Sequence, residues 1–539
     1  MLGGPGAHVI DRRNFKYLKS KGSRTWCGQA HSGDAAVASP GQLALLTMMT
    51  NLTAPKNDAA GARRRSRQMR TPKGLVLAIC CCSLLIVSMD ATAVNVALPA
   101  IRADLDTTVS TLQWTIDGYT LAIASFLLLG GATADRVGRR RIFQVGLTVF
   151  GLASLLCSLA PNVETLIVAR IIQGIGGSML NPVAMSIITN TYTDRRERAR
   201  AVGVWGAVVG VSMGFGPLVG GLLTEHVSWR AIFWINVPIA LVAVILCQFF
   251  VPESRAARPR RIDPFGQTLT IVLLASLVYA LIEAPEAGWG SPRIVVLLVV
   301  AVLAAISLVV VERRVAEPFL DIRFFRSVPF SSATLTALIA FAAYGAFLFV
   351  NALYLQQVRG LSPFEAGLRM LPLALTILVA SLASGRLVSR FGTRPSLVFS
   401  GAMLALSGIS LSFLTADTSW ALIAAAYVLF GLGFGAINAP ITNTAVSGMP
   451  ISQAGVAAGV ASTCRQTGTA IGVALAGTLT GAGAASNLGP SFATATHPLW
   501  WMVTGVGIGV LVLGIVASTR WAHRSTEQVS LLLEEPVAA

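Results

Sequence analysis

From residue 74 to residue 521 the chain repeats one pattern, a long apolar run followed by a short polar join. About twenty apolar residues wound as a helix cross a bilayer core of about 30 Å. Runs of that kind can be read at 74–98, 114–134, 142–160, 165–190, 199–224, 229–251, 265–283, 292–311, 328–354, 366–391, 394–414, 419–447, 454–483 and 498–521. Hydrocarbon offers no partner to a backbone N–H or C=O, so such runs must be helices. The predicted class is an all-α polytopic membrane protein with fourteen spans. An even number puts both ends of the chain on one face.

Composition supports this and narrows the partners. The chain is 54% hydrophobic and 12% charged, with a mean hydropathy of +0.69, where soluble domains carry about 25% charged residues. A net charge of +17 would suit a nucleic-acid binder, but the positive residues sit in alternate joins and lysine is absent after Lys73. Six joins on one face are arginine-rich, beginning with Arg136 to Arg141, whereas the other face offers Arg102, Arg230, Arg293 and Arg359. That asymmetry is the positive-inside bias, which predicts cytoplasmic termini and no nucleic-acid partner. The pair GK of a phosphate-binding loop is absent, so ATP is not expected as the energy source. Cys80, Cys81 and Cys82 are consecutive; helical side chains about 100° apart cannot converge on one metal. No catalytic constellation or metal site is expected, and the chain does not read as an enzyme.

The joins also carry an internal repeat. GATADRVGRR from Gly131 and GRLVSRFGTR from Gly385 align Gly131 with Gly385, Arg136 with Arg390, Gly138 with Gly392 and Arg140 with Arg394, a shift of 254 residues. NVAL from Asn95 answers NALY from Asn351 at a shift of 256, and GIGGSMLN from Gly174 answers GLGFGAIN from Gly431 at 257. Gly203, Gly216 and Gly221 answer Gly459, Gly472 and Gly477 at 256. A near-constant shift over four helix regions predicts two six-helix halves, 73–252 and 328–521, with an inserted helix pair and basic loops at 253–327. Residues 1–72, polar and ending in RRRSRQMR, are expected to be a disordered cytoplasmic extension, and 522–539 an unstructured cytoplasmic tail. The alternative expectation is a true start downstream of Met1, with Met48, Met49 and Met69 as candidates. Paired halves are a plan of secondary transporters, which bind cargo at the repeat interface.

Charges inside spans are costly and therefore informative, at about 2.5–3.5 kcal/mol each near the centre of a helix on insertion scales. The clear cases are Asp90 in SMDATAVNVALP, Asp117 in WTIDGY, Arg170 in LIVARIIQGIGG and Arg465 in STCRQTG. Two acids near one arginine make a proton switch, with Asp90 as the first candidate carrier, Arg170 as its modulator and Asp117 as the second acid. A static ion pair that fixes helix packing is the competing reading. Asn95, Gln173 and Arg465 are candidates to face a central cavity. In WGAVVGVSMGFGPLVGG, Gly206, Gly210 and Gly214 recur every four residues, which permits close helix approach. Pro217, among Gly216, Gly220 and Gly221, should bend that helix.

These segments together resemble the major facilitator superfamily, and its fourteen-helix drug:proton antiporter branch in particular. GATADRVGRRR is similar to that superfamily's join between spans 2 and 3, LIVARIIQGIGG to its span-4 segment, GFGPLVGG to the span-5 antiporter segment, and SMDATAVNVALP to the span-1 segment of the branch. The resemblance covers roughly 74–521 and implies a 6+2+6 arrangement acting as a monomer. It implies a conformational latch of Gly131, Asp135, Arg136, Gly138, Arg139 and Arg140, in which Ser389 replaces the acid in the second copy. It implies that Arg170 couples to the proton site and that Gly216 and Pro217 seal the exchange path. The expected function is efflux of amphipathic, often cationic, drug-like compounds across the cell membrane, with protons as counter-substrate, the proton gradient as energy source and no cofactor. Export of a single native metabolite (a peptide, lipid or siderophore) is the alternative within transport, and a non-transporting membrane sensor or scaffold the alternative outside it.

Overall fold

The computed structural model describes residues 8–12, 15–19, 26–30, 35–37 and 72–534, the last apart from 257–262, 316–320, 448, 451–452 and 482–488. The chain divides into two units, Met1–Arg70 and Thr71–Ala539. In the first, β1 (His8–Arg12), β2 (Phe15–Lys19), β3 (Trp26–Ala30) and β4 (Ala35–Val37) form an antiparallel meander in the order β1-β2-β3-β4. These strands stand where the sequence suggests a disordered extension. The basic run at 63–70, and Arg258, Arg260 and Arg261 of a later join, lie outside the described residues.

The second unit is helical throughout. Its first half comprises α1 (Lys73–Leu105), α2 (Val109–Val137), α3 (Arg139–Ser158), α4 (Val163–Thr191), α5 (Arg195–His226) and α6, which runs as Ala231–Trp234 and then Asn236–Phe250. Next come the inserted pair α7 (Pro264–Ala287) and α8 (Pro292–Glu312). The second half comprises α9 (Val328–Leu353), α10 (Leu371–Phe391), α11 (Thr393–Leu411), α12 (Trp420–Gly435 then Asn438–Val446), α13 (Ala454–Thr480) and α14 (His497–Val516). Thirteen helices are long and apolar enough to cross a membrane among the described residues. The expected fourteenth, α13, has the length at 27 residues but is diluted by glycine, threonine and Arg465.

Packing repeats between the halves. α1 packs on α5, α2 on α4, and α3 on α4 and α6; correspondingly α9 packs on α13, α10 on α12, and α11 on α12 and α14. The halves meet where α2 touches α13 and α5 touches α10, two contacts that the repeat exchanges. α7 packs on α8 and also on α2 and α13. The unstructured tail expected after residue 522 is corrected by a further helix, α15 (Arg520–Glu534). Ala522, Ser525 and Val529 fall on one face of α15 and are buried, the spacing of an amphipathic helix. Ser525 Oγ accepts a hydrogen bond from Val328 N at 3.0 Å, and Arg323 donates to Leu532 O at 3.1 Å.

Candidate functional site

Asp90 lies near the middle of α1, in a network to which α1, α2, α3, α4 and α6 all contribute. Arg170 Nη1 of α4 donates to Asp90 Oδ2, and both side chains are sealed from solvent. Asp90 Oδ1 accepts from Gln173 Nε2 at 3.0 Å and from Asn236 Nδ2 of α6 at 2.9 Å. Gln173 reaches Asp90 because it is one helical turn beyond Arg170 on the same face, and it also donates to Ser154 Oγ of α3 at 2.8 Å. Arg170 in turn donates through Nε to Thr115 O of α2 at 2.8 Å and through Nη1 to Gln173 Oε1 at 2.7 Å. The guanidinium lies over the Tyr119 ring at 4.0 Å. A buried ion pair is tolerable only when its remaining hydrogen-bonding capacity is met, and here the neighbours meet it. Removing either charge would strand the other.

Asp117, two residues beyond Thr115 on α2, has the opposite environment. It is fully buried, and neither carboxylate oxygen has a hydrogen-bond partner. Ionising such a group costs its full desolvation. Asn95, five residues beyond Asp90 on α1, is also buried; its Nδ2 bonds back to Ala91 O at 3.2 Å and its Oδ1 has no partner. Gln173, expected at a cavity, belongs instead to the Asp90 network. Arg465 is partly exposed and donates to Thr442 Oγ1 at 2.6 Å and Ser462 Oγ at 3.3 Å.

The join between α2 and α3 is tied down by its own charges. Gly138 turns the chain with φ +130°, a region L side chains rarely adopt. Arg139 closes on Asp135 through Nε at 3.0 Å and Nη2 at 2.8 Å. Glu253, just after α6, accepts from Arg140 N at 3.1 Å and lies 3.7 Å from Arg141 Nε. Arg139 N donates to Ser254 O at 2.9 Å. Arg136 makes no such bond, and among the described residues none of these side chains bonds to the second half.

α5 is tight at one end and loose at the other. Beyond its middle, a Cβ on Gly214 would meet Ala374 of α10 at 3.0 Å, and one on Gly220 would meet the Ala93 backbone of α1 at 2.5 Å. Gly216 faces Thr92, and Gly221 faces the Pro363 carbonyl across the two halves. Past Gly221, Glu225 Oε2 accepts from Phe364 N at 2.9 Å, and the His226 and Phe364 rings meet edge-on at 5.7 Å. On the α2–α13 side, Gln113 Nε2 donates to Val473 O at 2.6 Å. Toward the arginine-rich end Gly203 and Gly206 have no neighbour within 4 Å, and Gly210 has only the Ser381 side chain at 3.7 Å. Pro217 lies inside the helix without ending it. The halves are therefore closed against each other at the end opposite the arginine-rich joins.

Three functional side chains escaped the sequence reading. Asn236 carried no signal, because a neutral amide in a helix is unremarkable. Glu225 sits at a helix end like many surface acids. Glu253 was visible as an acid among arginines in ESRAAR, though its partner join was not.

Comparison with known proteins places this geometry. The sequence profile of the Major Facilitator Superfamily matches residues 80–473. A tetracenomycin C resistance and export protein from Streptomyces glaucescens is 37% identical over 74% of this chain and 74% of its own length. A puromycin resistance protein from Streptomyces alboniger is 40% identical, covering 81% and 88%, and the multidrug efflux pump LfrA of Mycolicibacterium smegmatis is 33% identical, covering 76% and 82%. The crystal structure of the human organic anion transporter MFSD10 (TETRAN) superposes with a TM-score of 0.56 over 82% of this chain and 99% of that one, at 15% identity, a likeness of fold alone.

Proposed function

The chain belongs to the Major Facilitator Superfamily, within its drug-efflux branch, and from that membership we propose that it exports amphipathic, drug-like compounds across the cell membrane in exchange for protons. The observation that carries the coupling is Asp117, a buried carboxyl with neither oxygen bonded. An acid in that position can ionise only if the helices around it move, because the charge has no compensation where it stands. Proton release is thereby tied to a conformational step, which is what exchange requires.

Asp90 was the first candidate from sequence. Held by Arg170, Gln173 and Asn236, it is better suited to set the state of the site, so we assign the travelling proton to Asp117. The link between them is Arg170, which binds Asp90 and also the carbonyl of Thr115, two residues before Asp117. Reading the arginine-rich joins and both termini as cytoplasmic makes the closed end external and the state inward-facing. The join at 131–141, bonded to no part of the second half among the described residues, is then a latch in its released position. Relatives named for resistance to puromycin or for tetracenomycin C export support amphipathic cargo. The same single-compound names favour a second reading, export of one dedicated antibiotic.

The test is reconstitution in vesicles with an internal pH dye, with tetraphenylphosphonium and a set of lipophilic acids added in turn. Substrate-evoked proton movement is expected in the wild type and absent in Asp117→Asn, which should retain gradient-free substrate exchange. Proton movement that survives Asp117→Asn and disappears in Asp90→Asn would return the carrier to Asp90. A wild type silent toward every compound would favour the dedicated exporter.

A further inference from the structure

In the first half the buried cation Arg170 is matched by Asp90, but a cation in the second half has no such match. Arg465 projects from α13 about 16 Å along the helix from its arginine-rich end, at 1.5 Å per residue. Its two partners, Thr442 Oγ1 and Ser462 Oγ, are neutral hydroxyls. Its Nε is buried and bonds nothing. Among the described residues no carboxylate pairs with it, and the nearest aromatic ring, Phe341, is 5.9 Å away.

A guanidinium presents five N–H donors and cannot shed its charge. Two neutral acceptors leave most of that demand unmet, and a cation–π contact at that distance offsets only part of the desolvation. A purely structural role does not account for it. The repeat places Val209 of α5 at the equivalent position, so the fold itself has no need of a cation there. The surroundings are also loosely covered. Residues 462–466 of α13 are all partly exposed, as are residues 207–209 of α5, whereas both helices are tightly packed toward the closed end. Arg465 thus stands on a helix of the inter-half seam, within a stretch that is partly exposed.

We propose that Arg465 is a binding subsite for an anionic group on the transported compound, a carboxylate or phenolate, received on the guanidinium N–H groups that Thr442 and Ser462 leave unfilled. This rests on the export reading and narrows it. Cationic cargo was expected because of the acids, but Asp90 is already neutralised by Arg170 and Asp117 is sealed, so neither is placed to receive a cation in this state. The charge at the inter-half space is positive, and the complementary cargo is an acidic amphiphile. The apolar part of such a compound is left to the loosely covered faces of α5 and α13.

The test uses purified full-length protein and two probes of one shape, 1-pyrenebutyrate and 1-pyrenebutyramide, followed by fluorescence titration. Wild type should bind the carboxylate at least about tenfold more tightly than the amide, the span of a charge-assisted hydrogen bond. Arg465→Gln should lose that preference by weakening carboxylate binding alone, and Arg465→Lys should keep part of it. Thr442→Asp places a resident carboxylate against the guanidinium and should also abolish the preference. It serves as well if Arg465→Gln does not fold. A wild type with no preference overturns the proposal, as does a preference that survives a folded Arg465→Gln or Thr442→Asp. Proton-coupled transport is scored separately in vesicles, so binding that discriminates without proton movement would sink the antiport reading and leave the subsite standing.

Discussion

In the first half Arg170 of α4 holds Asp90 of α1, while in the second half the repeat puts Tyr427 and Ala346 at those two places. Tyr427 donates to Asn351 Oδ1 at 2.6 Å, and Phe430, which answers Gln173, packs against the Phe347 ring at 4.1 Å. A charged network in one half is an aromatic stack in the other. The glycine contacts behave differently. A Cβ on Gly174 would meet Tyr119 O at 2.5 Å, and one on its counterpart Gly431 would meet Leu373 O at 2.7 Å, where Leu373 is the counterpart of Tyr119 at a shift of 254. Gly176 lies against Gly146 O at 2.9 Å, and Gly433 against Ser400 O at the same distance, again at that shift. What the halves share is the close approach of helix backbones, which sets crossing geometry. Side chains that face inward from those crossings were free to diverge into a proton-handling half and a half bearing an unpaired cation.

The most forceful way to break this comparison is to truncate the matched pair Arg170 and Tyr427. Arg170→Ala leaves Asp90 buried with two neutral donors and should cost about 3–5 kcal/mol, seen as a large fall in melting temperature and loss of transport. Tyr427→Phe removes one neutral hydrogen bond to Asn351 and should cost about 1 kcal/mol, with transport retained. Equal losses at the two positions would mean that the charge network is only another packing element. The glycines supply the converse test. Gly174→Ala and Gly431→Ala each push a methyl group into an opposing backbone carbonyl, an overpacking that costs about 1–3 kcal/mol. Thermal shifts of similar size are expected from the two, because the contact is the same in both halves.

The helices were legible because hydrocarbon forces long apolar runs on any spanning segment, and α13 was read as one of them at 454–483 even though its composition is diluted. α15 was missed for the complementary reason: fifteen residues with three small or apolar side chains on one face do not read as structure until α9 offers them a surface. The pairing of Asp90 with Arg170 was legible from the rarity of charge inside spans. The isolation of Asp117 was not, since a missing partner depends on what neighbouring helices bring, and no local pattern reports that. Gln173 was placed at a cavity from its polarity alone, whereas its one-turn spacing from Arg170 was the better clue. Arg465 was visible as a charge, and its lack of a counter-ion became apparent only once α12 and α9 were in place.

The smallest effect concerns the two joins. In the first, Asp135 receives Arg139 four residues later through two hydrogen bonds. In the second, Ser389 bonds only to Arg386 O at 2.8 Å within its own helix, and Thr393 stands where Arg139 does. Asp135→Ser should therefore cost up to about 1 kcal/mol, the range of a half-exposed ion pair, and it should also disturb transport if the join acts as a latch. Ser389→Asp alone should change stability by no more than about 0.5 kcal/mol, because no arginine follows at the right spacing. Ser389→Asp with Thr393→Arg should recover a coupling of about 0.3–0.5 kcal/mol at that spacing, measured as non-additivity of the two melting shifts. A full-sized latch is still not expected from the double variant, because in the first join Glu253 pins the start of α3 from a third segment, accepting from Arg140 N. If the double variant slowed transport as strongly as Asp135→Ser does, the third segment would be dispensable, and the difference between the two joins would reduce to one ion pair.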